Sequence, residues 1–297
     1  MTKSFSIICA LVTTFIWGTA FIAQDTGMDN IGPLTFNAAR FLVGFITILP
    51  FAFFFEKQKI IKEINLNKSK FFKYLVIMGV SLFLGTSLQQ ASLQYTNVAN
   101  AAFFTVFYVP LVPILLFFIY SQKVHWSIWP SIVLCIYGVY LLSNFSDAEI
   151  MKGDALVILC SLFWALHIIF AGKFMETFNI PVFYAALQGF LVATLSILSA
   201  YTFEEVIISN ILLESSSIIY AGVLSGGLAF TLQMFAQKNI EEAPAAIIYS
   251  LEGVFAVIAA WIILQQVLNI NNIIGCVLIL IAVIFSQLAP SVKKANK

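Results

Sequence analysis

Charge is scarce in this chain. Only 10% of its 297 residues are Asp, Glu, Lys or Arg, against about one quarter in a soluble globular domain. Hydrophobic residues make up 61% and the mean hydropathy is +0.98, which places the chain among integral membrane proteins. The net charge of +1 and the lack of a Lys/Arg stripe on a polar surface exclude nucleic acid as a partner. Cysteine is present but unclustered. Cys9, Cys135, Cys160 and Cys276 each lie alone in an apolar run, without CxxC or Cys/His spacing, so neither a metal site nor a disulfide framework is expected. We read them as small packing residues. No GxxxxGK[ST] loop occurs, which removes an ATP-driven reading, and no cofactor motif is found.

Apolar windows about 20 residues long, enough for a helix to cross the hydrocarbon core, recur throughout. Ten are predicted, at 5–24, 33–55, 71–93, 98–120, 126–144, 153–173, 181–201, 216–236, 243–264 and 270–289. Lys3 with "SFSIICALVTTFIW" mimics a secretory signal, but no small-x-small cleavage site follows and the segment has a counterpart later in the chain. It is expected to stay as the first span. The connections, such as "DTGMDNIGP", "QYTNVAN" and "NFSDAEIMKGD", leave no room for a soluble domain.

Threading the ten spans sorts the cations by side. Lys3, Lys57, Lys59, Lys62, Lys68, Lys70, Lys73, Lys123, Lys173, Lys238, Lys293, Lys294 and Lys297 fall together, thirteen of the fifteen Lys and Arg. Lys152 lies opposite, among Asp25, Asp29, Asp147, Glu149, Asp154, Glu204, Glu205 and Glu214. This bias predicts both termini cytoplasmic in a multi-pass protein of the cell membrane, inner or plasma. Lysine far outnumbers the single arginine, and with many Ile and Asn this points to an AT-rich bacterial genome.

The halves repeat. Trp17 aligns with Trp164 and, after a one-residue shift, Pro33 with Pro181; at a spacing of 143, Gly79, Gln90, Gln94 and Pro110 fall on Gly222, Gln233, Gln237 and Gly253. Five spans per half is an odd number, so the second half enters the membrane from the opposite face. The predicted fold is an all-α integral membrane protein of ten transmembrane helices, two inverted five-helix repeats at 1–145 and 146–297. Transporters use this architecture to alternate access around a midplane site.

"WGTAF", "PLTFNAARFLVGF", "ASLQYTNVANAAFFTVFYVPLVPILLFFI" and "APAAIIYSLEGVFAVIAAWIILQQVLNINNIIGCVLILIAVI" resemble the EamA-type members of the drug/metabolite transporter superfamily over nearly the whole chain. The resemblance implies a carrier for small metabolites, often an exporter of amino acids or related compounds, with a central cavity built from both halves. The chain departs from it in two places. The Gly-Glu pair ending the fourth and ninth spans reads Ser121-Gln122 and Gln265-Gln266, and the Pro of the ninth span is Gly253.

Glu252 lies about nine residues into its span, roughly 14 Å deep at 1.5 Å per residue. A carboxylate there must be paired, hydrated or protonated, which makes it the proton-coupling candidate; the plainer alternative is a bond between helices. Arg40, the single arginine, has Gln188 as its repeat partner. Its fork can bind a substrate carboxylate, pair with Glu252 or cap free carbonyls. Trp17, Gln90, Tyr108, Trp164, His167, Gln233 and Tyr249 lie at middle depth and complete the candidate substrate-binding set. Each also has a packing reading. His125 lies in a loop and is assigned no role, and "GVLSG", Gly222 to Gly226, has the small-xxx-small spacing of close helix contact. Two histidines and one deep acid make a poor catalytic constellation, so a secondary carrier is expected rather than an intramembrane enzyme or a structural subunit. Its partners are a small-molecule substrate, the bilayer and protons; monomer and homodimer both remain open.

Overall fold

The computed structural model describes residues 2–96, 98–142, 152–263, 265 and 267–288. Asp147, Glu149, Gln266, Lys293, Lys294, Lys297 and the expected boundary at 145/146 lie outside the described residues. The chain is helical from end to end: α1 (Lys3–Thr26), α2 (Pro33–Leu66), α3 (Lys68–Ser92), α4 (Val98–Thr105), α5 (Tyr108–Tyr120), α6 (Ile128–Leu142), α7 (Asp154–Thr177), α8 (Pro181–Phe203), α9 (Ile208–Leu213), α10 (Ser215–Tyr220), a π-helical stretch (Ala221–Ala229), α11 (Phe230–Ala236), α12 (Glu242–Tyr249), α13 (Leu251–Ile263) and α14 (Ile270–Leu288). Among the described residues nine helical segments are long and apolar enough to cross a membrane, and α6 is a shorter apolar helix of 15 residues. Helices satisfy their own backbone groups, as lipid demands.

Three expected spans differ in detail. The second continues as one 34-residue helix to Leu66 rather than stopping at 55. Its charged last part contains no Gly or Pro, so nothing ends the helix before Asn67, whose side chain accepts from Lys70 N at 2.9 Å and caps α3. At 1.5 Å per residue α2 is about 50 Å long, well beyond the roughly 30 Å apolar core, and its lysines project past it. The fourth and ninth spans are each broken in two, at 106–107 and at Ser250. Phe107 and Ser250 stand 143 positions apart, the repeat spacing.

The extensive helix contacts cross between the two halves of the chain: α2 on α8, α6 on α14, α3 on α7 and α1 on α13. Small residues permit the approach. A Cβ at Gly44 would stand 2.8 Å from the backbone of Gly226, and one at Gly222 would stand 2.8 Å from the Arg40 carbonyl.

The α2–α8 pair is fastened at both ends in the same way. Pro33 and Pro181 begin the two helices, a position that suits a residue without an N–H. At one end Glu204 accepts from Leu34 N and Thr35 N, both at 2.8 Å, and from Thr35 Oγ1 at 2.7 Å. At the other, Glu56 accepts from Val182 N at 3.1 Å and Phe183 N at 2.8 Å. Each helix therefore supplies the carboxylate that satisfies its partner's open amides. Glu56 and Glu204 stand 148 positions apart, as do Pro33 and Pro181.

Candidate functional site

Between the halves lies a cavity with about 30 Å³ of free space, lined by Trp17, Phe21, Gln24, Arg40, Thr86, Gln89, Tyr108, Trp164, Ile168, Ser225, Phe230, Tyr249 and Glu252. That is far below the roughly 300–1,000 Å³ of a small-molecule site, so the helices must part to admit a metabolite. Aromatic rings form the floor. Trp17 lies 6.1 Å from Trp164, 5.2 Å from Phe230 and 5.6 Å from Tyr249 between centroids. Trp164 and Phe230 are nearly parallel, with 2° between planes at 6.3 Å.

The helix breaks bring Tyr108 and Glu252 here, since each stands at the start of the second piece of a broken span. Ser250 turns its hydroxyl onto Ile247 O at 2.7 Å and accepts from Cys135 Sγ at 3.0 Å. On the other broken span Thr105 bonds Ala101 O at 2.7 Å and accepts from Gln89 Nε2 at 3.1 Å. Local hydroxyl-to-carbonyl bonds of this kind compete with the helix ladder. The π-helical stretch carries Ser225 into the wall, and such bulges concentrate at functional positions.

Arg40 is 3% exposed and its Nε donates to Asn37 Oδ1 at 2.8 Å. Its Cζ lies 4.9 Å from the Phe41 centroid and 5.7 Å from that of Phe36. Asn37 thus fixes the inner edge of the guanidinium, and the terminal nitrogens are left for the cavity. No carboxylate forms an ion pair with Arg40; among the described residues the ion pairs are those of Lys173. The pairing of Arg40 with Glu252 admitted by the sequence is therefore not made. Glu252 has no cation partner either, and the Tyr108 hydroxyl lies beside its carboxyl group. A guanidinium and a carboxyl group, one from each half, line one cavity without pairing with each other.

Of the nine sequence-predicted site residues, Trp17, Arg40, Tyr108, Trp164, Tyr249 and Glu252 line the cavity, whereas Gln90, His167 and Gln233 lie behind its wall. Gln90 donates to Gln24 O at 2.8 Å and Met28 Sδ at 3.0 Å, tying α3 to the end of α1. Its neighbour Gln89 reaches the cavity instead, because one residue turns a helix by about 100°. Phe21, Gln24, Thr86, Gln89, Ile168, Ser225 and Phe230 were not singled out by sequence. Phe230 is one of 30 phenylalanines, and Ser225 sits inside a motif that reads as packing.

The lysine-rich end of the bundle is closed by a buried ionic cluster. Lys173 Nζ lies 3.1 Å from Glu242 Oε1 and 3.2 Å from Glu176 Oε1, donates to Gln122 Oε1 at 2.8 Å, and stands 5.2 Å from the Tyr120 ring. Gln122, one of the amides that replace the Gly-Glu acids, serves as a neutral acceptor there. Gly172 lets Glu242 approach, since a Cβ would stand 2.7 Å from its Cγ.

The sequence profile of the EamA-like transporter family matches residues 4–144 and again 151–288. A protein of Archaeoglobus fulgidus described as an uncharacterized transporter is 29% identical over 278 residues, covering 93% of this chain and 84% of that one. One of Clostridium kluyveri with the same description is 26% identical over 316 residues, covering 97% and 94%. A crystal structure titled only as that of a protein superposes with a TM-score of 0.79 at 14% identity, covering 97% of this chain and 98% of its own. That likeness concerns the fold alone.

Proposed function

The chain belongs to the EamA-like transporter family, which matches both of its halves, and from this premise we propose a secondary carrier for small zwitterionic metabolites of the amino-acid type, working by alternating access. The observation that carries the reading is a guanidinium and a carboxyl, Arg40 and Glu252, lining one aromatic-floored cavity without an ion pair between them. The guanidinium binds the substrate carboxylate in bidentate fashion. Glu252 binds the ammonium group, and the Trp17–Trp164 floor takes the apolar side chain. The two halves act as inverted repeats, 1–145 and 146–297, with the lysine-rich end cytoplasmic in the cell membrane. The shared helix breaks, the reciprocal glutamate caps and the lysine bias support this arrangement.

Glu252 also supplies a coupling step. A proton and the substrate's ammonium compete for one carboxylate, so each releases the other. Exchange of an inward proton for an outward substrate follows if the carboxylate cannot cross empty and charged. The binding reading is tested by uptake and efflux of labelled amino acids in proteoliposomes. Arg40→Lys keeps the charge and loses the planar fork, and the expected result is a KM raised about tenfold, in line with loss of one charge-assisted hydrogen bond. Unchanged KM would remove bidentate recognition.

A further inference from the structure

The repeat partners of Arg40 and Gln90 in the second half are buried polar side chains outside the cavity lining. Gln188 on α8 stands 148 positions after Arg40, and Gln233 on α11 stands 143 positions after Gln90. Both are 0% exposed, as is His167 on α7. His167 Nε2 and Gln188 Oε1 are 3.0 Å apart. Beyond that bond, His167 Nδ1, Gln188 Nε2 and both amide atoms of Gln233 have no partner. Gln237 and Gln90 each donate from their amide nitrogen to a carbonyl of another helix, Ile168 O at 2.7 Å and Gln24 O at 2.8 Å, whereas neither Gln188 nor Gln233 has a partner for its amide nitrogen. Four unpartnered atoms inside a membrane bundle are costly unless another state of the protein uses them.

Their placement indicates that use. His167 follows Trp164 by three residues on α7, and Gln233 follows Phe230 by three on α11, so each lies one helical turn towards the lysine-rich end. The His167 ring stands edge-on to Trp164 at 6.0 Å and to Phe230 at 5.7 Å. Trp164 and Phe230 line the cavity, and the imidazole packs against both rings without lining it. In an inverted repeat, the second half in the inward state takes the arrangement that the first half has in the outward state.

We propose that Gln188, Gln233 and His167 form a second substrate station, uncharged, which receives the substrate carboxylate from Arg40 when the cavity opens to the lysine-rich face. This rests on the zwitterion-carrier reading above. The carboxamide N–H groups of Gln188 and Gln233 donate to the carboxylate, while no cation holds it. Binding at this face is weaker than at the Arg40 side, and the substrate exchanges readily with the solution beyond.

The test uses proteoliposomes of known orientation and a mixture of labelled neutral L-amino acids, with KM measured from each face. Gln188→Ala and Gln233→Leu are expected to raise KM about tenfold from the lysine-rich face and to leave it within twofold from the other. Equal effects from both faces, or none, overturn the station. A second measurement guards against variants that fold poorly. Gln188→Cys, in a chain whose four native cysteines are replaced by Ala, is expected to react with a small polar thiol reagent only from the lysine-rich face, with the amino-acid mixture protecting it. Labelling from the opposite face, or no labelling under turnover, overturns the proposal. If the wild-type protein moves no amino acid from either face, the zwitterion reading itself fails; if it does and the sided effects are missing, the station alone fails.

Discussion

In the proposed site the single arginine and the one deep carboxylate would recognise the substrate, and their environments differ in kind. Arg40 is held in place: Asn37 fixes its Nε at 2.8 Å, and the Phe41 ring lies 4.9 Å from its Cζ. Glu252 has no ion-pair partner among the described residues and only the Tyr108 hydroxyl beside it. Depth in the span made Glu252 legible from sequence, because a carboxylate in hydrocarbon is costly wherever it appears. Gln89 was not legible against Gln90. Both are buried amides on an apolar helix, and only the neighbours decide which of two adjacent positions meets the cavity.

At the scale of elements, the reciprocal caps of α2 and α8 give two predictions of stability. Glu204→Ala leaves the amides of Leu34 and Thr35 without their acceptor, and a loss of about 1–2 kcal/mol is expected, as for removal of a strong N-cap. A lowered thermal midpoint in detergent checks it, and Glu56→Ala should behave alike because it caps Val182 and Phe183. The lysine-rich end offers a sharper contrast. Glu242→Gln leaves the buried Lys173 with Glu176 as its remaining carboxylate, and a cost of about 1–3 kcal/mol is expected. Adding Lys173→Met removes the stranded charge, so the double variant is expected to melt above the single one. A double variant less stable than Glu242→Gln would contradict a closing role for the ion pair. The signal for the caps was present in the sequence as Pro33 to Glu56 and Pro181 to Glu204, two equal intervals. It went unread because the glutamates lie just past the apolar windows and register as solvated ends.

Over the whole molecule, the approximate placement of the spans follows from hydropathy, since lipid demands backbone groups satisfied within helices, while the extension of α2 to Leu66 and the two broken spans do not. The lysine bias likewise sorts the two ends, and Lys3, Lys173 and Lys238 meet Gln287, Gln122 and Asn179 at the same end of the bundle. The interior was harder to read. Helices in this bundle are apolar on nearly every side, so periodicity does not say which face meets a neighbour and which meets lipid. The breaks at 106–107 and Ser250 and the π-helical stretch at Ala221–Ala229 depend on contacts between halves. The cavity was therefore legible as a set of polar and aromatic residues at one depth, while its walls were not.

In the proposed cycle one carboxylate, Glu252, exchanges substrate for proton in a cavity lined by both halves. The most direct test is amino-acid transport in proteoliposomes under an imposed pH gradient, for the wild-type protein and Glu252→Gln. The gradient is expected to drive net movement in the wild type, whereas the variant ignores the gradient and transports at most down the substrate's own concentration difference. A pH dependence unchanged by Glu252→Gln would contradict it.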